Sequence, residues 1–278
     1  MNLPRRDWTD MTWKEIADAG DATQRWIAVM PLAAVEQHGP HLPLGVDSFI
    51  AEAYLTRVRK ILPDDLPVTF LPVQRIGVSL EHLAYPGTLT LSAATAVAAW
   101  TELGDSLARA GLRKLVLVTS HGGNVSAMEL VARDLRTRHG MLVVTVGWHR
   151  FGYPEGTFSG EEKKHGIHGG DVETSLMLAA VPQTVRTDKA PNATPATIAM
   201  AREFKWLGAY RPAGFAWMTQ DINATGAIGD ATLASAAKGE AALEYGARAF
   251  VELLQEVASF DLKRLQAGPL PADELRDP

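Results

Sequence analysis

The sequence predicts an α/β protein in which helices cover both faces of a mostly parallel central sheet, giving three layers. Three observations predict this class. Short, continuous apolar runs alternate with longer segments whose apolar residues recur at helical spacing. Several runs lead directly into polar clusters, as strands do when ligands bind beyond their carboxyl ends. The chain has 278 residues and 46% hydrophobic content, enough for a substantial core.

The predicted strands are short and rich in β-branched and aliphatic residues. This composition is typical of strands that are buried on both faces of a sheet. A turn at "YPGT" introduces one further extended piece, at 85–91. The strands are predicted at 25–33, 66–73, 113–120 and 141–148.

The predicted helices each carry an apolar stripe. The first stripe includes Ile61, and in the second helix Ser92 is the predicted cap and Gly111 the predicted end. The second stripe consists of Val97, Trp100, Leu103 and Leu107. Helices are predicted at 47–62, 92–111, 125–140, 171–181 and 232–257, so strand and helix alternate along the chain.

The remaining segments have weak periodicity. Residues 151–167 are rich in glycine and charge and are predicted to form a loop, in the position of a lid. Residues 183–230 are predicted to wrap over the site, and the tail 267–278 to fray. We find no internal repeat and no linker, so the prediction is a single domain over 1–278.

Composition excludes several classes of protein and of site. The net charge is −5 and the sequence pI about 5.9, with scattered basic residues, which argues against a nucleic-acid partner. No run approaches the roughly 18 apolar residues needed to span a bilayer, and we expect a cytoplasmic protein. Cysteine is absent, so any metal must be held by carboxylates and imidazoles.

The first polar cluster follows the predicted strand at 25–33. Glu36 and His38 are two residues apart, so in an extended segment their side chains point to the same side. Asp47, at the start of the next helix, can fold back toward them. Two carboxylates and an imidazole in this spacing predict a site for Zn, Mn or Fe. A purely structural interpretation is that Asp47 caps its helix and Glu36 is solvated.

Two further clusters follow later strands. His121 comes directly after the strand at 113–120 and precedes Gly122 and Gly123, which allow close approach of a backbone or ligand. In the segment "HGIHGGDVETSLML", Asp171 is predicted as the helix N-cap and His165 as solvent-facing. That segment offers His165, His168, Asp171 and Glu173 at a glycine-rich helix start.

Four blocks of the chain, in order, resemble the signature blocks of the creatininase, or creatinine amidohydrolase, family. They are "EQHGPHLPLGVDSFIAE", "EHLAYPGTLTL", "VTSHGGN" and "HGGDVETSLMLA". A later segment, "GAIGDATLASAAKGE", resembles the family's C-terminal block. Each block alone is modestly specific, and their order along the chain adds specificity. The resemblance covers most of the chain.

The resemblance implies two divalent metal ions, usually zinc or manganese and sometimes iron. Carried over by motif position, one ion is held by Glu36, Asp47 and His121, and Asp47 bridges to a second ion bound by His38. Creatininase has a further glutamate ligand two residues after the histidine of "HGG", where this chain has glycine. Relatives with "HGGN" use the glutamate of the "ETS" block, which assigns Glu173 to the second ion.

The implied reaction opens an amide-type C–N bond with a metal-activated water. His168 matches the catalytic histidine and is expected to deliver a proton to the leaving nitrogen. Trp148 is expected as a wall of the substrate pocket or as a core residue, His82 as a substrate contact, and His41 behind the ligands. Ile167 stands where creatininase has a glutamate. With the missing glutamate ligand, this weakens the case for creatinine as the substrate.

The predicted function is therefore metal-dependent hydrolysis of an amide bond in a small cyclic or linear molecule. Deformylase and peptidase activities occur among relatives with the same motifs and compete with this prediction. Two hypotheses from different classes are a non-catalytic scaffold stapled by metals and a phosphate cradle formed by "HGGN". Because family members are commonly hexamers, a homo-oligomer is expected. The aromatic stretch 202–218 is a candidate subunit interface or substrate lid.

Overall fold

The central sheet has four parallel strands in the order β2-β1-β3-β4. They belong to a computed structural model that describes residues 3–210 and 212–269. The strands are β1 (Ile27–Leu32), β2 (Val68–Phe70), β3 (Lys114–Thr119) and β4 (Leu142–Gly147). Ile27 of β1 lies opposite Val68 and Lys114. The predicted parallel sheet is confirmed.

Helices surround this sheet and occupy most of the segments predicted for them. The longer ones are α2 (Val46–Ile61), α3 (Ala93–Arg109), α4 (Val125–His139), α6 (Asp171–Ala180) and α9 (Ala236–Ser259). The shorter ones are α1 (Trp13–Ala19), α5 (Gly160–His165), α7 (Ala196–Glu203) and α8 (Thr219–Ile222). As predicted, the Ser92 side chain caps α3 by accepting from the Thr95 N–H at 3.2 Å.

Alternate residues of the strands pack into two separate cores. Ile27 and Val29 join a cluster with residues of α2, α6 and α9, whereas Ala28 and Met30 join a second cluster with residues of α3 and α4. This alternation follows the two-residue period of a strand. Because both faces of the sheet are covered, the fold has the three layers that the sequence predicts.

Some expected details are wrong. The segment 151–167, predicted as a loop, contains the helix α5, which is capped by the Ser159 side chain. Ile61, placed on an inward stripe, is 41% exposed because it lies in the last turn of α2. The extended piece at 85–91 pairs through one isolated bridge, between Val35 and Leu89.

The segment 183–230 contains short elements and few buried apolar side chains. Besides α7 and α8 it includes β5 (Asn192–Ala193), β6 (Leu207–Gly208), β7 (Ala213–Gly214) and β8 (Gly229–Asp230). The predicted frayed tail lies mostly outside the described residues. Among the helices that are described, we find none with the length and apolar content needed to cross a bilayer.

Candidate metal centre

The candidate site lies beyond the carboxyl ends of β1 and β3. After β1 the chain forms a loop that is closed by a hydrogen bond from the Glu36 N–H to the Leu44 carbonyl, at 2.9 Å. The segment after β3 and the first turns of α2 and α6 approach the same point. The side chains that meet here are Glu36, His38, Asp47, His121 and Glu173.

These five side chains form two groups that share Asp47. The first group is Glu36, Asp47 and His121, and the second is His38, Asp47 and Glu173. Within each group, one donor atom of every member lies within 4.8 Å of the others. Glu173 is half-buried and the other four are buried. The structure therefore brings together all five residues that were predicted as ligands, in two overlapping triads.

Backbone carbonyls orient the two histidines of these groups. His121 Nε2–H donates to the Val78 carbonyl at 2.8 Å, and His38 Nδ1–H donates to the Glu36 carbonyl at 3.1 Å. The other ring nitrogens then face carboxylates: His121 Nδ1 lies 3.2 Å from Glu36 Oε1, and His38 Nε2 lies 3.7 Å from Glu173 Oε2. A backbone acceptor on the far nitrogen is typical of metal-binding histidines.

Several buried polar atoms of the site have no hydrogen-bond partner among the described residues. They are both carboxylate oxygens of Glu36, Oδ2 of Asp47 and Nε2 of His38. Unpartnered buried carboxylates are costly, because they lose their hydration without compensation. Divalent cations would satisfy these atoms, and carboxylates with imidazoles are a donor set that suits zinc or manganese. The residues present therefore fit a metal site.

The charges of this cluster perturb one another. Burial raises the pKa of the Asp47 carboxyl well above its usual range, and the Glu36 carboxylate adds to this shift. Burial, the largest single influence, would also raise the pKa of Glu36, but His121, His82 and His168 together outweigh it and hold that pKa well below its usual range. Burial alone would lower the pKa of His121, yet Glu36 raises it to about 10. The carboxylates thus need positive charge nearby.

The glycine two residues beyond His121 has no room for a side chain. A Cβ at Gly123 would lie well inside contact distance of His121 Nε2 and the Val78 carbonyl, and 2.7 Å from Glu81 Oε1. A glutamate ligand cannot start from this position in the observed backbone. Close packing thus explains why glycine stands at this position of "HGGN". This explanation does not require that the loop binds a phosphate.

His168 is held beside the five predicted ligands by backbone contacts. The backbone N–H of His168 donates to the Ile228 carbonyl at 3.2 Å, and the backbone carbonyl of His168 accepts from the Ile228 N–H at 2.6 Å. Its Nε2–H donates to the Gln37 carbonyl at 2.5 Å, which leaves Nδ1 free, 3.7 Å from Glu36 Oε1. Its free nitrogen is therefore placed for proton transfer at the site.

His82 lies on another side of Glu36. Its Nε2 is 3.3 Å from Glu36 Oε1, and its Nδ1 is 2.8 Å from the Gln37 amide nitrogen and 2.9 Å from the Thr219 hydroxyl. The Gln37 amide also donates to the Gly226 carbonyl at 2.9 Å, which fixes its orientation. His82 Nδ1 is therefore an acceptor, and the proton is on Nε2, the nitrogen nearer Glu36. The predicted substrate contact stays a prediction.

Trp148 follows β4 and is buried against other aromatic rings. It stacks on Tyr54 with 4.3 Å between ring centroids and 5° between planes, and it is tilted against Phe250 at 4.7 Å. It belongs to the core cluster beside α2, α6 and α9 and also lines a cavity. Trp148 is therefore both a core residue and part of the cavity wall, the two positions predicted for it.

That cavity adjoins the predicted metal ligands and has a volume of about 690 Å³. Glu173 and His168 line it on the site side, and its walls include apolar side chains of α2 and α6. Its lining also includes three basic residues, Arg150, Lys163 and Lys164. Pockets of this size hold drug-sized molecules. The cavity therefore has room for a substrate much larger than a single small ring.

The structure corrects two predictions and places a third residue. Gly170, not Asp171, is the N-cap of α6; Asp171 lies in the first turn, where it pairs with Lys238 at 2.6 Å. His165 is half-buried rather than solvent-facing, and its Nδ1 lies 2.9 Å from the Thr197 hydroxyl. His41 is buried, and its Nε2 is 2.8 Å from the hydroxyl of Thr174, the neighbour of Glu173; its place behind the ligands stays a prediction.

Gln37 and Asn124 are among the residues around the site that were not predicted from the sequence. Gln37 contacts both His82 and His168, and its only sequence signal is its place between Glu36 and His38. Asn124 is buried and joins the loop after β3 to neighbouring segments through hydrogen bonds. Its signal is the asparagine that ends "HGGN". Neither residue's contacts can be inferred from spacing along the chain.

Comparisons with known proteins agree with this geometry. The family model described as "Creatininase: Creatinine amidohydrolase" matches residues 9–254. A mycofactocin precursor peptide peptidase from Mycobacterium tuberculosis (strain CDC 1551 / Oshkosh) is 33% identical over 219 residues, 76% of this chain and 77% of that protein. A creatinine amidohydrolase from Pseudomonas putida is 30% identical over 267 residues, 89% of this chain and 95% of that protein.

Solved structures extend the similarity to the fold. A structure described as "Creatininase Mn" is 28% identical and covers 92% of this chain and 99% of its own, with a TM-score of 0.72. The matched part of the chain includes both triads and the segments that position them.

Proposed function

Because this chain belongs to the creatininase family and is a hydrolase of that family, we propose that it hydrolyses an amide-type C–N bond with two divalent metal ions. The observation that carries this proposal is the pair of triads sharing Asp47. One ion is assigned to Glu36, Asp47 and His121, and the other to His38, Asp47 and Glu173. A carboxylate shared by two donor groups would place two ions side by side, as in two-metal hydrolytic sites.

Ions bound there would supply the acidity that generates a hydroxide nucleophile near neutral pH and the Lewis acidity that polarises the scissile carbonyl. The chain's own residues set the geometry of this chemistry. The backbone acceptors behind His38 and His121 hold each imidazole with its other nitrogen facing the carboxylates, where a bound ion would replace any proton on it. Gln37 holds His82 in the tautomer with its proton on Nε2, the nitrogen nearer Glu36.

His168 is the proposed proton carrier. Since its Nε2–H is engaged by the Gln37 carbonyl, proton exchange takes place at Nδ1, which faces the carboxylates. A proton taken up there is returned to the leaving nitrogen, which must be protonated for the C–N bond to break. The bridge to Ile228 limits movement of the ring away from this position.

A second candidate activity, peptidase action, is favoured by the cavity. Its volume of about 690 Å³ suits a peptide segment better than creatinine, and its basic residues suit a carboxylate at one end of the substrate. One relative with 33% identity is described as a peptidase of a precursor peptide. We therefore propose that the substrate is a peptide or a peptide-derived amide.

Metal identity and assembly follow from the same family relation. Manganese or zinc is proposed, with iron as the third choice, because the donor set suits these ions and one related structure carries manganese in its description. A homo-oligomer, hexameric as the family resemblance implies, is proposed as the working form. Light scattering on the purified chain tests this, and a monomer would contradict it.

The first experiment measures bound metal by plasma mass spectrometry in the wild type, in Glu173→Gln and in the control Glu129→Gln. Glu129 is exposed on α4, away from both triads. We expect about two ions per chain in the wild type and control and one in Glu173→Gln. The wild type is prepared without chelators and supplied with manganese or zinc. If it then binds no metal, the proposal is overturned.

The same three proteins are assayed on creatinine, formamides and short peptides with a free or an amidated carboxyl end. Hydrolysis of peptides with a free carboxylate, lost in Glu173→Gln, is the expected result. Turnover of creatinine alone would contradict the peptide proposal. Two bound ions with no hydrolysis of any substrate would favour a scaffold whose metals are structural.

A further inference from the structure

One buried carboxylate near the site has no part in the proposed metal chemistry. Glu162 lies on α5 between exposed neighbours, Glu161 and Lys163, yet it is only 7% exposed. It also lines the cavity that contains His168 and Glu173. A carboxylate turned inward from a short surface helix is unusual, because burial removes its hydration.

The carboxyl group of Glu162 occupies space that glycines leave free. A Cβ at Gly166 or Gly170 would lie well inside contact distance of this carboxyl group, and a Cβ at Gly229 would lie 3.0 Å from Glu162 Oε2. The three glycines come from the end of α5, the start of α6 and β8. The carboxyl group thus fills a gap among three segments.

The same group reaches the first turn of α6. Glu162 Oε1 accepts a hydrogen bond from the Val172 N–H at 3.2 Å. The first N–H groups of a helix lack partners within the helix, and the positive end of the helix dipole favours a carboxylate there. This contact therefore compensates part of the cost of burying Glu162 and ties α5 to α6.

These contacts enclose the segment that carries two proposed functional residues. His168 lies between Gly166 and Gly170, and Glu173 directly follows Val172. Glu173 also accepts from the Gly169 N–H at 2.6 Å, so the loop and the helix start form one hydrogen-bonded unit. Glu162 contacts this unit at both ends and touches neither His168 nor Glu173 in the hydrogen bonds of the described residues.

We propose that Glu162 is a positioning residue that holds the segment 166–173 so that Glu173 reaches the second metal and His168 faces the substrate. This inference rests on the proposed two-metal function. It assigns α5 a role in the site, although the helix supplies no ligand. It also implies that the first metal, held by residues of other segments, is independent of Glu162.

The test compares Glu162→Ala, Glu162→Gln and the matched control Glu161→Ala on the same helix. Each protein is titrated with manganese and zinc by chelator competition, well below its melting temperature, and kcat and KM are measured on the best substrate found. Glu173→Gln is included as the reference for loss of the second ion.

For Glu162→Ala we expect about tenfold weakening of the second ion with the first unchanged, because the segment that carries Glu173 loses its anchor; this is the lower end of the effect known for direct hydrogen-bond partners of metal ligands. We expect kcat to fall similarly while KM changes little. Glu162→Gln keeps the shape and an acceptor for Val172 and should restore most of both. Glu161→Ala should match the wild type.

Failure of each idea gives a distinct pattern. If Glu173→Gln still binds two ions, the proposed function is wrong. If Glu173→Gln loses one ion while folded Glu162→Ala binds both with wild-type affinity, the positioning role is wrong. Should Glu162→Ala not fold, Glu162→Asp replaces it; wild-type metal binding and kcat with that shortened side chain would also overturn the proposal.

Discussion

At the scale of single residues, Asn124 shows how a side chain outside the ligand set supports the site. Its Oδ1 accepts from the Val78 N–H at 2.9 Å, and its Nδ2 donates to the Ala33 carbonyl at 3.0 Å. Through Ala33 and Val78, these contacts join the segment after β3 to the segments after β1 and β2. The Val78 carbonyl is also the acceptor for His121. The loop conformation that presents His121 therefore depends on this amide.

We expect Asn124→Ala to lower the free energy of unfolding by about 2–3 kcal/mol, because it leaves buried backbone groups without partners. Urea unfolding with excess chelator measures this without a contribution from metal. Ser126→Ala, a position on α4, should change the value by less than about 0.5 kcal/mol, because that side chain makes no hydrogen bond among the described residues. Equal stability of the two variants would contradict the role assigned to Asn124.

Glu162 gives a prediction of pH dependence. Burial raises the pKa of its carboxyl group from 4.5 to about 7, against the lowering effect of the Val172 N–H. The folded state therefore keeps a proton that the unfolded chain releases, and stability from this group is lost as pH rises from about 4.5 to about 7.

Glu162→Gln removes this titration. Relative to the wild type, we expect the variant to gain roughly 2–3 kcal/mol of stability between pH 5 and pH 8, the size that such a pKa shift implies. Urea unfolding of both proteins at several pH values, with excess chelator, is the measurement. Parallel stability curves for the two proteins would show that Glu162 does not titrate in this range.

At the scale of elements, the crossing of α6 and α9 sets the position of Glu173. A Cβ at Gly239 of α9 would lie well inside contact distance of the Ser175 carbonyl on α6, so the helices pack backbone to backbone. The Lys238 ammonium pairs with Asp171 beside this crossing. The sequence places both glycine and lysine in a helix but does not indicate which helix they contact.

We expect Gly239→Ala to destabilise the protein by roughly 2 kcal/mol or more, although alanine normally favours a helix over glycine by about 1 kcal/mol. Gly160→Ala is the matched control, because a Cβ there meets no atom within 4 Å. It should be neutral or stabilising. Thermal unfolding of both variants tests this contrast, and a stabilised Gly239→Ala would mean that the helices can separate without cost.

At the scale of the whole molecule, the binding of metal should contribute to stability. The buried carboxylates of the two triads lack partners among the described residues, so ions that bind only the folded chain stabilise it by mass action. At a metal concentration 100 times the dissociation constant this amounts to about 2.7 kcal/mol for one site.

Chelation should therefore lower the Tm, and the loss should be reversed by manganese or zinc in a concentration-dependent way. Glu173→Gln should show a smaller loss than the wild type, since one site is already weakened. Differential scanning calorimetry across a metal titration is the measurement. A Tm that does not respond to chelator or added metal would contradict binding at these triads.

Much of the fold was predictable from the sequence, for local reasons. Apolar runs with β-branched residues, helical spacing and caps such as Ser92 are properties of neighbouring residues, and they located the four strands and five main helices. The exceptions are informative. The segment with α5 was missed because its six residues carry polar and charged side chains without an apolar stripe, and only Glu162 is buried.

The sequence by itself determined the α/β class, the membership of the creatininase family and the set of side chains with metal-binding chemistry, because these depend on local pattern and on motif order. The tertiary structure alone decided that Gln37 contacts both His82 and His168, that Gly123 has no room for a side chain, and that Asp171 pairs with Lys238. Each of these depends on distances between segments that are far apart along the chain, which only the packed helices and sheet define.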